Sequence, residues 1–125
     1  MNTDKFSLKS RLKSFRFALN GLRSLLKYEH NSRIHAIAAI AVFFLGLLMK
    51  INLTEWSLLM IVIGMVFITE LLNSSLESFA DSIKPEWNDM IGKAKDYSAA
   101  AVLIAAIISL VVGVIIFAPK LLDLI

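Results

Sequence analysis

The sequence has no cysteine among its 125 residues, only two prolines, and few charged side chains. The lack of cysteine excludes disulfides, thiolate metal sites and cysteine nucleophiles. Charged residues make up 18% of the chain and hydrophobic residues 58%, which is more apolar than an average soluble domain. A soluble chain of this length could hardly hide so much apolar surface. We therefore expect part of the chain to be embedded in a lipid bilayer.

Several common motifs are also missing. Neither GxxxxGK[ST] nor GxGxxG is present, so any nucleotide would have to be held by side chains and a metal ion. No Ser-His-Asp triad or zinc-ligand spacing is visible, and His35 is interpreted as a packed or interfacial side chain. The start of the chain lacks the pattern of a cleavable signal peptide, and we expect it to remain in the mature protein.

Three apolar segments occupy residues 34–49, 56–69 and 98–118. A membrane-crossing helix needs about 20 residues, a length that only the third segment reaches unaided. Helical spacing of apolar side chains continues over 70–83, where neither Gly nor Pro interrupts the second segment. This pattern predicts an all-α integral membrane protein whose second long helix leaves the bilayer. The alternative is a soluble bundle with short buried helices.

A basic amphipathic stretch precedes the apolar segments. Six polar residues, five of them basic, recur at spacings of three and four: Lys9, Lys13, Arg16, Asn20, Arg23 and Lys27. Apolar side chains fill the opposite face, as in a helix that lies on an anionic membrane surface. Nucleic acid could also attract this charge, but three membrane segments follow at once, so we expect no nucleic-acid partner. We predict one domain over 1–125, with helices at about 8–28, 31–49, 53–83 and 91–118.

The basic residues also predict an orientation. Eleven of the 13 Lys and Arg residues lie within 1–33 and 70–97, and the other two are Lys50 and Lys120. The positive-inside rule then places the N-terminus and 70–97 in the cytoplasm and the C-terminus outside.

Polar side chains share one face of the second long helix where the apolar segment ends. Glu70, Asn73, Ser74, Glu77 and Asp81 fall within about 100° of arc at helical spacing. Glu70 directly adjoins the apolar segment, and ionisable residues beside membrane segments are costly enough to suggest a function. A merely solvated helix face is the alternative.

The chemistry of this face suits phosphoryl transfer. Carboxylates and an amide are hard oxygen ligands for Mg²⁺, which usually takes one or two protein carboxylates plus substrate phosphates. A further carboxylate near the lipid surface could accept a proton from an alcohol. Glu29 offers another ligand, Lys95 could neutralise phosphate charge, and Asp96 could hydrogen-bond an adenine or a sugar. The spacing alone does not separate a kinase from a metal transporter.

These residues together resemble the prokaryotic diacylglycerol kinase family, which includes undecaprenol kinases. The resemblance covers nearly the whole chain. It rests on Glu70-Leu-Leu-Asn-Ser-Ser-Leu-Glu77 followed by Asp81, on Gly92-Lys-Ala-Lys-Asp96 with Ala99 to Ala101, and on segments 20–23 and 29–35.

The resemblance implies a homotrimer with active sites shared between protomers at the cytoplasmic side of a bacterial inner or cytoplasmic membrane. It implies that Glu70 is the general base, and that Glu29 and Glu77 hold Mg²⁺ with ATP. The implied ATP contacts are Phe17, Glu29, Glu77, Glu86, Trp87, Asn88, Lys95 and Asp96. Supporting or substrate residues would be Asn73, Asp81, Arg23, Arg33 and Ala99.

Some residues depart from the family pattern. Phe17 stands where tyrosine is common, Trp87 and Asn88 replace Tyr-His, and Pro85 is unusual at its position. Ala99 stands where some members have a serine. These changes weaken the assignment of adenine and lipid contacts.

The expected activity is ATP- and Mg²⁺-dependent phosphorylation of a membrane lipid alcohol, undecaprenol or diacylglycerol. The 29–35 segment resembles the undecaprenol kinase branch more closely. Two other functions remain open from the residues alone. One is an oligomeric cation transporter or channel subunit, in which Glu70 binds the ion. The other is a membrane adaptor that uses the basic surface helix.

Overall fold

The computed structural model describes residues 6–83 and 88–125, which form four α-helices and, within those ranges, no strand. They are α1 (Leu8–Tyr28), α2 (His30–Leu48), α3 (Leu53–Ile83) and α4 (Asp89–Leu122). Helices α2, α3 and α4 are long and apolar enough to cross a membrane. The predicted all-α membrane architecture with an N-terminal amphipathic helix is confirmed. Helix α4 extends beyond the predicted 91–118 at both ends.

A single extended residue separates the surface helix from the first membrane helix. Glu29 has φ −101° and ψ 110°, and it is both the C-cap of α1 and the N-cap of α2. Its backbone N–H donates to the Leu25 carbonyl at 2.9 Å, and its carbonyl accepts from the Arg33 N–H at 3.3 Å. The chain therefore changes direction at a residue whose own side chain is acidic.

The turn between α2 and α3 is closed by backbone hydrogen bonds. The Ile51 N–H donates to the Gly46 carbonyl at 3.2 Å and the Lys50 N–H to the Leu47 carbonyl at 3.3 Å, which is the pattern of a Schellman cap. Lys50 takes the left-handed position of this cap, with φ 54°.

Side chains then fix the start of α3. Asn52 and Glu55 exchange side-chain-to-backbone hydrogen bonds of 3.0 and 2.9 Å, forming a capping box. Lys120 Nζ of α4 lies 3.2 Å from Glu55 Oε1, so the same carboxylate also joins α3 to the end of α4.

Helix α3 is the centre of the packing. Among the described helices it contacts all three others, and its contact with α4 is the most extensive. A small core forms near the α2–α3 turn from Ile51, Leu59, Ile116 and Phe117. The Ser109 hydroxyl of α4 donates to the Val62 carbonyl of α3 at 3.0 Å. Most other large apolar side chains are exposed, as expected for helices that are long and apolar enough to cross a membrane.

Replacing Gly46 with alanine should destabilise this fold. A Cβ at Gly46 would lie 2.7 Å from the Trp56 ring and 3.1 Å from Ile51, whereas one at Gly64 would meet nothing within 4 Å. We expect Gly46→Ala to cost about 1–3 kcal/mol through overpacking. The matched Gly64→Ala should be neutral or gain up to about 1 kcal/mol in helix propensity. Thermal unfolding in detergent compares them, and equal midpoints would contradict this packing.

Candidate functional site

Glu70 is a buried carboxylate on a membrane-spanning helix. Its exposed fraction is 3%, and it follows the last apolar turn of the predicted segment 56–69. Burying a carboxylate without compensation is costly, because its charged form loses its hydration. The structure therefore encloses the residue that the family resemblance implies to be the general base.

The side chain that faces Glu70 is His35 of α2. The His35 Nε2 lies 3.3 Å from Glu70 Oε1. This oxygen is enclosed, and the contact is within ion-pair distance but lacks hydrogen-bond geometry in the structure. The His35 side chain itself remains 26% exposed. The pair therefore links the first two membrane helices through ionisable groups.

Two further polar groups, the hydroxyls of Ser32 and Ser74, are buried one helical turn from His35 and Glu70. Ser32 precedes His35 by one turn of α2 and is fully buried, at 0% exposed. Ser74 follows Glu70 by one turn of α3, and its hydroxyl oxygen is buried as well. Within the described ranges, neither hydroxyl makes a hydrogen bond. Because α2 and α3 run antiparallel, both hydroxyls lie on the side of the His35–Glu70 contact that faces away from the α2–α3 turn.

A second polar contact joins α3 to α4 on the same carboxylate face. The Ser98 hydroxyl donates to Asn73 Oδ1 at 2.6 Å and also to the Lys95 carbonyl at 3.0 Å. Lys95 Nζ donates to Asp81 Oδ1 at 2.8 Å. The Asp81 side chain is 69% exposed, so this end of the face is in water. The polar face therefore runs from a buried end at Glu70 to a solvated end at Asp81.

Glu29 and Glu77 lie close enough to Glu70 to repel its charge, although they come from different parts of the chain. Lys95 is in turn close enough to Glu77 to attract it. Both glutamates are partly buried. In the described ranges no three His, Asp or Glu side chains form a ready metal cluster. Carboxylates are nevertheless the ligand type that Mg²⁺ prefers, and it usually takes only one or two of them, with its remaining ligands from phosphates and water.

The other predicted site residues are spread around this centre. Phe17 and Arg23 of α1, Arg33 of α2, and Asp96 and Ala99 of α4 are exposed. Their exposure does not distinguish them from neighbouring surface residues, and their roles at the site remain predictions.

The predicted contacts at the start of α4 are described only in part. Asn88 is the N-cap of α4, and its Oδ1 accepts a hydrogen bond from the Met90 N–H at 2.8 Å. This capping role accounts for one of its polar atoms and leaves its amide nitrogen for other contacts. Glu86 and Trp87 lie outside the described residues, as does the neighbouring Pro85.

His35 is the site residue that sequence analysis interpreted differently. It was expected to be a packed or interfacial histidine, and the structure places it against the buried carboxylate. A signal was present, because His35 is an ionisable residue inside an apolar segment and Glu70 is another. The pairing of the two could not be read from spacing within one helix.

An apolar groove of about 570 Å³ lies between α2, α3 and α4 beside this centre. Its lining runs from His35 to Leu121, and His35 and Ser109 are its polar members. No Cα atom of α2 lies within 8 Å of one in α4, so the groove between these helices lies over α3. The exposed part of His35 therefore borders an apolar surface.

Comparison with known proteins agrees with the family resemblance. Residues 16–117 match the family described as prokaryotic diacylglycerol kinase. The chain is 38% identical over 109 residues to an undecaprenol kinase of Bacillus subtilis, covering 87% of this chain and 89% of that protein.

Two diacylglycerol kinases are also similar to this chain. The protein from Synechocystis is 35% identical over 114 residues, covering 90% of this chain and 65% of that protein. The protein from Escherichia coli K12 is 30% identical over 100 residues, covering 80% of this chain and 82% of that protein.

Removing the Ser98 hydroxyl should loosen the carboxylate face. We expect Ser98→Ala to lower stability by about 1 kcal/mol, because Asn73 loses its contact with α4. Ser57→Ala is the matched control, since the exposed Ser57 hydroxyl bonds only the Leu53 carbonyl of its own helix. Its effect should stay within about 0.5 kcal/mol. Thermal unfolding in detergent measures both, and a larger loss in Ser57→Ala would be inconsistent with the interhelical bond.

Proposed function

Because the chain belongs to the prokaryotic diacylglycerol kinase family, we propose that it transfers the γ-phosphoryl group of ATP to the hydroxyl of a membrane lipid alcohol. Family membership confirms the predicted enzyme class, a lipid kinase. Undecaprenol is the substrate that we favour over diacylglycerol. The support is the 29–35 segment and the similarity to the undecaprenol kinase over most of both chains.

The observation that carries the proposed mechanism is the burial of Glu70 on a membrane-spanning helix, next to a polar face that ends in water. A lipid alcohol presents its hydroxyl at this same boundary. In the proposed step Glu70 accepts the hydroxyl proton while the alcohol oxygen bonds to the γ-phosphorus. The bond from that phosphorus to the β,γ-bridging oxygen breaks, and ADP carries away the electron pair.

The residues around Glu70 suit the charge that phosphoryl transfer concentrates. We propose that Glu29 and Glu77 hold Mg²⁺, which when bound neutralises phosphate charge. We assign to Lys95, whose Nζ donates to Asp81 Oδ1 at 2.8 Å, the role of adding a positive charge to the same phosphates. Asn73, fixed by Ser98, keeps an amide beside the carboxylates. Positioning and charge neutralisation are the main tasks in this reaction.

The remaining nucleotide and substrate contacts extend this proposal. We assign nucleotide contacts to Phe17, Glu86, Trp87, Asn88 and Asp96 in addition to the two metal-holding glutamates and Lys95. Arg23, Arg33 and Ala99 are assigned as supporting or substrate residues. The exposed positions of Phe17, Arg23, Arg33, Asp96 and Ala99 leave them accessible to a ligand or to a second protomer.

The assembly we propose is a homotrimer of single-domain protomers. The apolar groove and the exposed apolar side chains of α2 to α4 are compatible with neighbouring copies or with lipid. The alternative function, cation transport, finds little support in this groove. Its polar members are only His35 and Ser109, and these would line a poor path for an ion.

The function is tested by incubating purified protein with Mg²⁺ and ATP, in parallel with undecaprenol and diacylglycerol. We expect phosphate transfer to both lipids, faster to undecaprenol. Glu70→Gln should lower kcat by at least about 100-fold, the usual effect of losing a general base.

Glu55→Gln is the matched control, because glutamine preserves the capping box at the other end of α3. It should retain wild-type kcat. Transfer to neither lipid would overturn the proposed function, and full activity of Glu70→Gln would overturn the role of the base.

The proposed orientation can be tested directly because the native chain has no cysteine. Single cysteines at the exposed positions Thr54 and Ser82 mark the two ends of α3. In intact spheroplasts, a membrane-impermeant maleimide should label Thr54→Cys and should reach Ser82→Cys only after permeabilisation. The reverse pattern would contradict a cytoplasmic active site.

A further inference from the structure

We infer that His35 is a positioning residue for the reaction: it orients the buried Glu70 carboxylate so that one oxygen faces the lipid hydroxyl. This inference rests on the proposed function of Glu70 as general base. It gives a role to a histidine that the sequence predicts to be packed or interfacial, and it concerns a contact between two helices rather than a motif within one.

The geometry divides the two carboxylate oxygens between two tasks. Oε1 is enclosed and lies 3.3 Å from His35 Nε2. With a hydrogen on Nε2, a small rotation of either side chain turns this contact into a hydrogen bond donated by His35. Holding Oε1 in this way leaves Oε2 as the oxygen that accepts the substrate proton. A base fixed in one rotamer meets the hydroxyl in a productive direction more often than a freely rotating one.

No other described side chain makes an equivalent contact with Glu70. The buried hydroxyls of Ser32 and Ser74 are without hydrogen bonds in this part of the chain, so neither anchors the carboxylate. Glu29 and Glu77 repel it. The orientation of Glu70 within the described protomer therefore depends on His35.

The position of His35 also differs from that of a histidine in a packed core. Its side chain is 26% exposed and borders the apolar groove, while its Nε2 faces Glu70. One residue thus contacts the base on one side and an apolar surface on the other. A residue that served only to fill space between α2 and α3 would not need a polar atom directed at the carboxylate.

Three substitutions separate positioning from packing. The Gln side-chain amide extends about as far as histidine Nε2, whereas the Asn amide stops near the position of Nδ1. We expect His35→Gln to keep kcat within about fivefold of wild type. His35→Asn and His35→Leu should lower kcat by roughly 10- to 100-fold, the range seen when a partner that orients a metal ligand is removed. The KM for ATP should change little in all three.

Each variant is first checked for helical content and thermal midpoint, and kcat is compared among the variants that remain folded. Equal kcat in His35→Asn and His35→Gln would overturn the proposal, because kcat would then not depend on how far the side-chain amide extends toward Glu70. A change confined to the KM for ATP would overturn it as well. If the wild type phosphorylated no lipid, the proposed function would fail, and the second measurement below would still test the contact.

That measurement is the infrared carboxyl band of Glu70, assigned by the difference between wild type and Glu70→Gln. It does not require turnover. We expect the band to stay in place in His35→Gln and to shift in His35→Asn and His35→Leu. A band that no His35 substitution moves would show that the histidine does not hold the carboxylate.

Discussion

The structure depends on enclosing one carboxylate, Glu70, directly after the apolar segment 56–69 of α3. A buried ionised group carries a desolvation penalty of several kcal/mol unless other groups compensate it. Glu70 is almost completely enclosed, and the polar atom in contact with it comes from another helix, at His35. The relative rotation of α2 and α3 is therefore constrained by an electrostatic contact as well as by apolar packing. A soluble enzyme could surround such a group with backbone donors, but a helix in lipid has already used its own.

Helix α3 carries both buried and solvent-exposed polar groups on one rigid element. From Glu70 to Asp81 the axis rises about 16 Å at helical pitch, from an enclosed position to an exposed one. Asn73 and Glu77 lie between them, and contacts with Ser98 and Lys95 hold the neighbouring face of α4 in register. The single helix therefore fixes the distance between an enclosed carboxylate and solvent-exposed polar groups, without relying on a loop.

Sequence reasoning was strongest where the information lies within one helix. Apolar segments and helical spacing predicted α2 to α4 and the continuation of α3 past Thr69, and they grouped Glu70, Asn73 and Glu77 on one face. The His35–Glu70 contact could not be derived in this way, because it depends on how two helices are rotated about their axes. The bond from Ser98 to Asn73 is interhelical for the same reason. The division of roles among the carboxylates and the trimer came from the family resemblance, since spacing does not specify them.

The extended backbone of Glu29 couples the site to the surface of the bilayer. Helix α1 ends at this residue and α2 begins directly after it, so no flexible linker stands between headgroup layer and membrane crossing. A change in surface charge or lateral pressure that tilts α1 would act first on this joint, and thus on a carboxylate beside Glu70. A joint of one residue leaves only the backbone angles of Glu29 to set the direction in which the surface helix leaves the membrane helix.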